Sequence, residues 1–212
     1  MTDDPYGGRQ PTTHERRAGR PWDASYLGAT PPWDIGRPQP AVERLADERA
    51  FAGAVLDAGC GTGENALLLA SLGLQVLGVD VAETALSIAR TKAIDRGVEA
   101  EFAPADALHL DRLDRAFDTV LDCGLFHSFE GDERLDYAAS LASVTRHGGV
   151  AYVLCFSDLG PDTGPHPVSQ QELSSAFGRQ FGWNVAAVGP ERILAEFAPQ
   201  GVPAWLAKIE RI

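Results

Sequence analysis

The residues best placed to do chemistry are the glycines and carboxylates between Val55 and Asp80. Residues 55–70 read V-L-D-A-G-C-G-T-G-E-N-A-L-L-L-A, an apolar entry, three glycines and an apolar exit. That order predicts a strand, a tight turn and a helix. Gly59, Gly61 and Gly63 stand where a Cβ would block a close ligand or an unusual backbone angle. A second apolar run, Val76-Leu77-Gly78-Val79, then ends in Asp80, 17 residues past Gly63. A glycine-rich first turn with an acid about 20 positions on is the pattern of a nucleoside site in a doubly wound sheet. In that pattern Asp80 grips the ribose hydroxyls.

The local charge narrows the nucleoside. A dinucleotide turn reads G-x-G-x-x-G, whereas this one reads G-x-G-x-G with Glu64 following and Asp57 just before it. A pyrophosphate there would meet two carboxylates, and one such contact at ~4 Å costs ~4 kcal/mol at an effective dielectric of ~20. S-adenosylmethionine carries an ammonium and a sulfonium and no phosphate, so acidic residues suit its amino-acid end. The expected cofactor is S-adenosyl-L-methionine, leaving as S-adenosyl-L-homocysteine.

These residues need a frame. Strands are expected at residues 54–57, 75–80, 100–103, 117–123 and 150–156, with two more near 184–188 and 204–209. Helices are expected at about 41–51 behind Pro40, at 63–72 with Gly73 as its stop, at 83–96 and at about 132–146. A further helix opens at the capping box Ser169-x-x-Glu172, after a Pro/Gly loop at 157–167. Alternating strands and helices predict an α/β fold with a mostly parallel sheet and helices on both faces. Ligand loops then collect at the carboxyl ends of the strands.

Before this domain, placed at residues 41–212, the chain is unusual. Residues 1–20 are rich in Pro, Gly, Thr and Arg, and composition predicts a disordered tail. Residues 21–40 hold Trp22, Tyr26 and Trp33 in a Pro/Gly-rich stretch where Pro-Trp-Asp occurs twice. Aromatics in such a segment dock on something; surface packing and a lid over the cofactor both remain open.

Composition bounds the partners. Hydrophobic residues make up 44%, which marks a globular chain, and 18 basic against 30 acidic residues give a net charge of −12. Such a surface repels nucleic acid and anionic membranes and favours a small-molecule acceptor. Cys60, Cys123 and Cys155 lie in or beside apolar runs without metal-ligand spacing, and the five histidines are scattered, so no metal site is expected. Odd, buried thiols point to a reducing, cytoplasmic location. No signal-peptide core or membrane-length apolar run is seen. Oligomeric state is left open.

The stretch around Gly59 resembles motif I of the class I S-adenosylmethionine-dependent methyltransferases, and the resemblance extends further. It implies a Rossmann-like seven-stranded sheet ending in an antiparallel hairpin. P-A-D-A at residues 104–107 looks like the motif after strand three, which places Asp106 and Ala107 in the adenine pocket. F-D-T-V-L-D-C-G-L-F-H-S at 117–128 looks like motif IV, where Cys123 or Gly124 lines the pocket beside the sulfonium. P-W-D-I-G-R-P-Q-P from Pro32 and the L-F-H-S run resemble the thiopurine S-methyltransferase-like and heterocyclic toxin methyltransferase group. In that group the tryptophan contacts the cofactor's methionine part, which here falls on Trp33; Gly36 in the same block and Val81 after Asp80 join the expected cofactor set.

The implied reaction is methyl transfer to N, S or O of a small, aromatic or heterocyclic molecule. Holding the nucleophile near ~3 Å in line with the methyl supplies most of the rate. A base is needed only where the nucleophile carries a tightly held proton. His127 and Tyr26 are the candidate catalytic residues, with His166 a further possibility. Two other readings stay open: a phenol or quinol O-methyltransferase, and a cofactor-binding protein without transferase activity.

Overall fold

The computed structural model describes residues 4–160 and 166–212; part of the expected 157–167 loop lies outside them. Seven strands form one sheet. In chain order the elements are α1 (Thr13–Ala18), α2 (Pro40–Asp47), β1 (Ala54–Ala58), α3 (Glu64–Ser71), β2 (Gln75–Asp80), α4 (Glu83–Arg96), β3 (Glu101–Pro104), β4 (Phe117–Cys123), α5 (Asp132–Val144), β5 (Thr145–Phe156), α6 (Gln170–Ala176), β6 (Trp183–Ala195) and β7 (Ala198–Arg211). Short 3-10 turns lie at Trp22–Ser25, Ala107–Leu113, Phe126–Ser128 and Arg179–Phe181.

The strand order is β3-β2-β1-β4-β5-β7-β6. β1 to β5 run parallel, and only β7 against β5 and β6 against β7 are antiparallel. The order reverses between β1 and β4, and at such a switch point the loops part to leave a crevice. Central strands are buried on both faces, as continuous apolar runs require. Leu56, Val120 and Val153 face one core with Phe126, Tyr137 and Trp183. Val55, Leu121 and Tyr152 face the other with Leu67, Leu69 and Leu86. Truncating a fully buried leucine such as Leu121 to alanine costs about 2–5 kcal/mol.

The turn between β1 and α3 depends on glycine. Gly63 has φ +84°, and a Cβ there would lie 2.8 Å from Ala89 Cβ of α4. The missing side chain lets α3 start against α4.

Several expectations need correction. The segment expected to be a disordered tail carries α1, with the capping box Thr12–Glu15 and a buried Glu15. Its Arg9 and Glu15 make an ion pair, and that charge satisfaction orders a stretch whose composition is otherwise polar. α2 ends at Asp47 and α5 at Val144, both earlier than their polar continuations imply. β5 instead starts at Thr145, and β6 and β7 extend into a long hairpin. The capping box at Ser169 and Glu172 forms as expected. Among the described residues, no helix is long and apolar enough to cross a membrane.

Candidate active site

A cavity opens at the carboxyl edge of the sheet, over the switch point. Its floor is the β1–α3 turn with the ends of β2, β3 and β4; its outer wall is residues 9–39 with the tip of the β6–β7 hairpin. Trp33, Gly59, Gly61, Asp80, Val81, Asp106, Ala107 and Cys123 all line it, so the structure brings together eight of the ten expected cofactor residues.

Asp80 sits at the end of β2. Its Oδ2 accepts from Gly61 N at 2.9 Å and its Oδ1 from Ala82 N at 2.9 Å. Those bonds aim the carboxylate across the glycine turn, and burial pushes its pKa up. Asp106 Oδ1 accepts from Leu108 N at 3.0 Å, so it caps the turn at Ala107–Leu113 as well as lining the cavity. Gly59 has φ +73°, and a Cβ there would meet Leu125 at 3.0 Å, so the turn packs flat against the loop after β4.

Two expected cofactor residues stand back from the cavity wall. Gly36 is exposed, and its N–H donates to Asp34 Oδ1 at 2.9 Å; it shapes the loop while Ile35 and Arg37 reach the cavity. Asp57 is 1% exposed and lies beneath the turn; neither carboxylate oxygen has a close hydrogen bond among the described residues, and the backbone N–H of Ala66 at the start of α3 gives it only weak support. Burial, then the neighbouring Asp122 carboxylate, pushes its carboxyl up to about 7. Burial likewise raises Asp122 to about 6. An unpartnered carboxylate below a pocket is costly unless a cation comes to it. An ammonium and a sulfonium bound above the turn would supply such a charge, so the acidic residues present fit S-adenosylmethionine.

The two candidate catalytic residues both reach the cavity, though neither is built as a base. Tyr26 lies over Gly61, where a Cβ would be 3.2 Å from its hydroxyl, and that hydroxyl accepts from Trp33 Nε1 at 3.4 Å. Burial and the Asp80 charge hold its proton tightly. His127 is 5% exposed, its ring stacks on Phe156 at 4.1 Å and 3°, and its Nδ1 accepts from Phe156 N at 2.9 Å. Burial, with Arg134 and two histidines nearby, lowers its pKa to about 3. His166 pairs with Glu130 and Arg17, outside the cavity lining.

The outer wall contains residues that sequence reasoning passed over. His14 of α1 stacks on Trp22 at 4.5 Å and 4°, and Trp22 meets Trp33 edge-on at 5.8 Å. Arg9, Thr12, Phe129, Phe156 and Phe197 also face the cavity. Phe129 and Phe156 follow or end strands, which was a usable signal; His14 and Arg9 had none. This wall is tied down at several points. Thr13 donates to Glu133 through N and Oγ1 at 2.7 and 2.9 Å. Asp23 accepts from Thr84 N and Oγ1 at 2.7 and 2.9 Å, and so caps α4, whose own N-cap Ala82 has no side-chain acceptor. Thr62 donates to Asp34 at 2.5 Å, and Glu196 N to Pro32 O at 2.8 Å.

A glycine turn, an acid at the end of β2 and a strand order with a reversed terminal hairpin together define a class I S-adenosylmethionine-dependent methyltransferase. The family model described as a methyltransferase domain matches residues 55–149. The chain is 38% identical over 173 residues to the 2-heptyl-1-hydroxyquinolin-4(1H)-one methyltransferase of Mycobacteroides abscessus, covering 80% of this chain and 75% of that one. A chain solved for a study of the conversion of a disulfide bond into a thioacetal group during echinomycin biosynthesis is 40% identical, with TM-score 0.82 over 89% of this chain and 90% of that one. Magnesium protoporphyrin IX methyltransferase from Synechocystis PCC 6803, solved with bound S-adenosylhomocysteine, shares the fold at 20% identity and TM-score 0.64, over 98% of this chain and 91% of that one. The chain belongs to the S-adenosylmethionine-dependent methyltransferases.

Proposed function

We propose that this enzyme methylates a nitrogen, sulfur or oxygen of a flat aromatic heterocycle. The observation that carries this reading is the acceptor side of the cavity. There two parallel stacks, His14 on Trp22 and His127 on Phe156, line one space beside the cofactor floor. Planar rings prefer offset or edge contacts with such walls. The relative from Mycobacteroides abscessus is named for a hydroxyquinolinone, which is a substrate of that shape. Trp33, Gly36, Gly59, Gly61, Asp80, Val81, Asp106, Ala107 and Cys123 would hold or shape the cofactor site, with Asp57 as a buried counter-charge. The cofactor supplies an activated methyl; the chain's residues orient the acceptor, exclude water and neutralise charge.

Residues 21–40, with α1 before them, serve in this reading as a cover over the domain formed by residues 41–212. The net charge of −12 argues against nucleic acid as the substrate. Three free cysteines support a reducing, cytoplasmic setting. The test is an acceptor panel of hydroxyquinolinones, azoles, phenols and thiols, read by S-adenosylhomocysteine release. Turnover of phenols or quinols in preference to every heterocycle would replace this reading with an O-methyltransferase of phenolic acceptors. Cofactor binding with no turnover on the panel would count against transfer to this acceptor class.

A further inference from the structure

The geometry points to His127 as a hydrogen-bond donor through Nε2 that holds an acceptor already stripped of its acidic proton. This deepens the proposed function and rests on it. The backbone N–H of Phe156 donates to Nδ1 at 2.9 Å, and a backbone amide can do nothing else. A neutral imidazole whose Nδ1 accepts must carry its proton on Nε2. The ring therefore presents an N–H, and no lone pair, to the cavity it lines. The Nε2 edge lies near the end of β4: an atom at the Cβ position of Gly124 would be 3.6 Å from Cε1 and 3.9 Å from Nε2.

The ring has little freedom to change this state. It is 5% exposed and stacked flat on Phe156. Besides burial, the Arg134 guanidinium from α5 bears on it, with the His14 ring from α1 and the His166 ring ahead of α6 as further titratable neighbours, and each disfavours a second proton. The carboxylates facing His14 and His166 are paired, Glu15 with Arg9 and Glu130 with Arg17 and His166, while Asp122 at the end of β4 accepts from Leu125 N and Phe126 N through Oδ1. Burial opposes protonation further, which places the charged form far below neutral pH.

The consequence is a substrate class. The acceptor is a heterocycle whose N–OH, N–H or S–H loses its proton to water at neutral pH. The heteroatom's lone pair makes the new bond to the methyl carbon, and the carbon–sulfur pair returns to the sulfur. An anionic acceptor leaves neutral, and no proton passes to the protein. The Nε2–H holds an oxygen or nitrogen of the bound ring next to the reacting atom.

The test has two arms. In the first, protein labelled with 15N-histidine is titrated from about pH 5 to 8, and His127→Phe assigns its signal among the five histidines. A bare Nδ1 and a protonated Nε2 throughout are expected. A ring that titrates in this range, or carries its proton on Nδ1, overturns the proposal whatever the acceptor. In the second arm, kcat/KM is followed against pH for two N-hydroxy heterocycles of different acidity. The rise should move with the acceptor's own pKa. His127→Phe, which keeps a flat ring, should lower kcat/KM by roughly tenfold to a hundredfold without moving that rise. His127→Gln, which restores an N–H donor, should recover part of the loss. An acidic limb common to both acceptors and abolished in His127→Phe would make His127 a base and sink the proposal. Absence of turnover on the wider panel would fail the proposed function, whereas the spectroscopic arm judges His127 independently.

Discussion

The floor and the cover of the cavity are built by opposite means. The floor is a glycine turn clamped by short local hydrogen bonds between buried strands, such as Gly59 N to Val79 O at 2.8 Å and Gly61 N to Asp80 at 2.9 Å. The cover is held by side chains reaching across more than 60 positions: Thr13 to Glu133, Arg17 to Glu130, Asp23 to Thr84. Many of these ties are half-exposed, with Arg16 and Arg17 side chains 55% and 60% accessible. Buried charges respond chiefly to proton concentration, whereas exposed ion pairs respond chiefly to salt. The floor is therefore expected to sense pH and the cover ionic strength.

The largest expected effect tests the floor. Asp57 has a folded pKa raised from the ordinary aspartate value near 4 to about 7. Its contribution to stability is present below pH ~4 and is lost as pH rises through ~7. The ligand-free enzyme should lose stability across that window, on the order of a few kcal/mol. S-adenosylmethionine should then raise Tm more at pH 8 than at pH 5, and Asp57→Asn should flatten the difference. An equal rise at both pH values would detach Asp57 from the cofactor's charge.

Asp80→Ala comes next. Loss of hydrogen bonds to a charged acceptor is worth about 1.5–3 kcal/mol, so calorimetry should show cofactor affinity down roughly tenfold to over a hundredfold. The ties of the cover should survive. Unchanged affinity in a folded variant would remove Asp80 from the site.

A smaller effect separates the two regions. Asp23→Ala removes the only side-chain cap of α4 among the described residues, supplied from the cover. Capping is worth about 1 kcal/mol, which for a chain of this size is a Tm fall of about 2–4 °C. The acceptor KM should rise as well. A fall in Tm with normal KM would leave Asp23 a helix cap and nothing more.

The smallest effect is that of salt. Exposed pairs are worth about 0–1 kcal/mol each, so raising ionic strength should lift the acceptor KM by less than about fivefold. Charge reversal in both partners, Arg17→Glu with Glu130→Arg, should leave that response intact. A KM indifferent to salt in the wild type would show that the cover is closed by its aromatic contacts instead.

The same contrast explains what was legible in the sequence. β1, α3, β2 and α4 could be placed because period, glycine and cap signals are local, and Asp80 followed from spacing alone. The cavity role of Cys123 and Asp106 needed a family resemblance, since a strand-end cysteine or aspartate carries no local mark of a ligand. α1 was missed because its stability comes from a pair, Arg9 with Glu15, and from Glu133, which is 120 positions from Thr13. His127 was visible as a histidine after β4. Its tautomer was not, because that depends on the Phe156 amide at the end of a different strand. The hairpin was underestimated because β6 and β7 pair beyond the apolar core, through polar residues such as Glu191 and Arg192.

The distribution of the four tryptophans makes the molecule its own optical reporter. Trp183 and Trp205 are 0% and 6% exposed, and each donates its indole N–H to a backbone carbonyl at 2.9 Å. Trp22 and Trp33 sit in the cover, the first against His14 and the second 40% exposed. A dissolved quencher such as acrylamide should reach the second pair and spare the first. If the proposed cover lifts and settles as ligands come and go, emission would track it against a steady background from the interior, with no added dye.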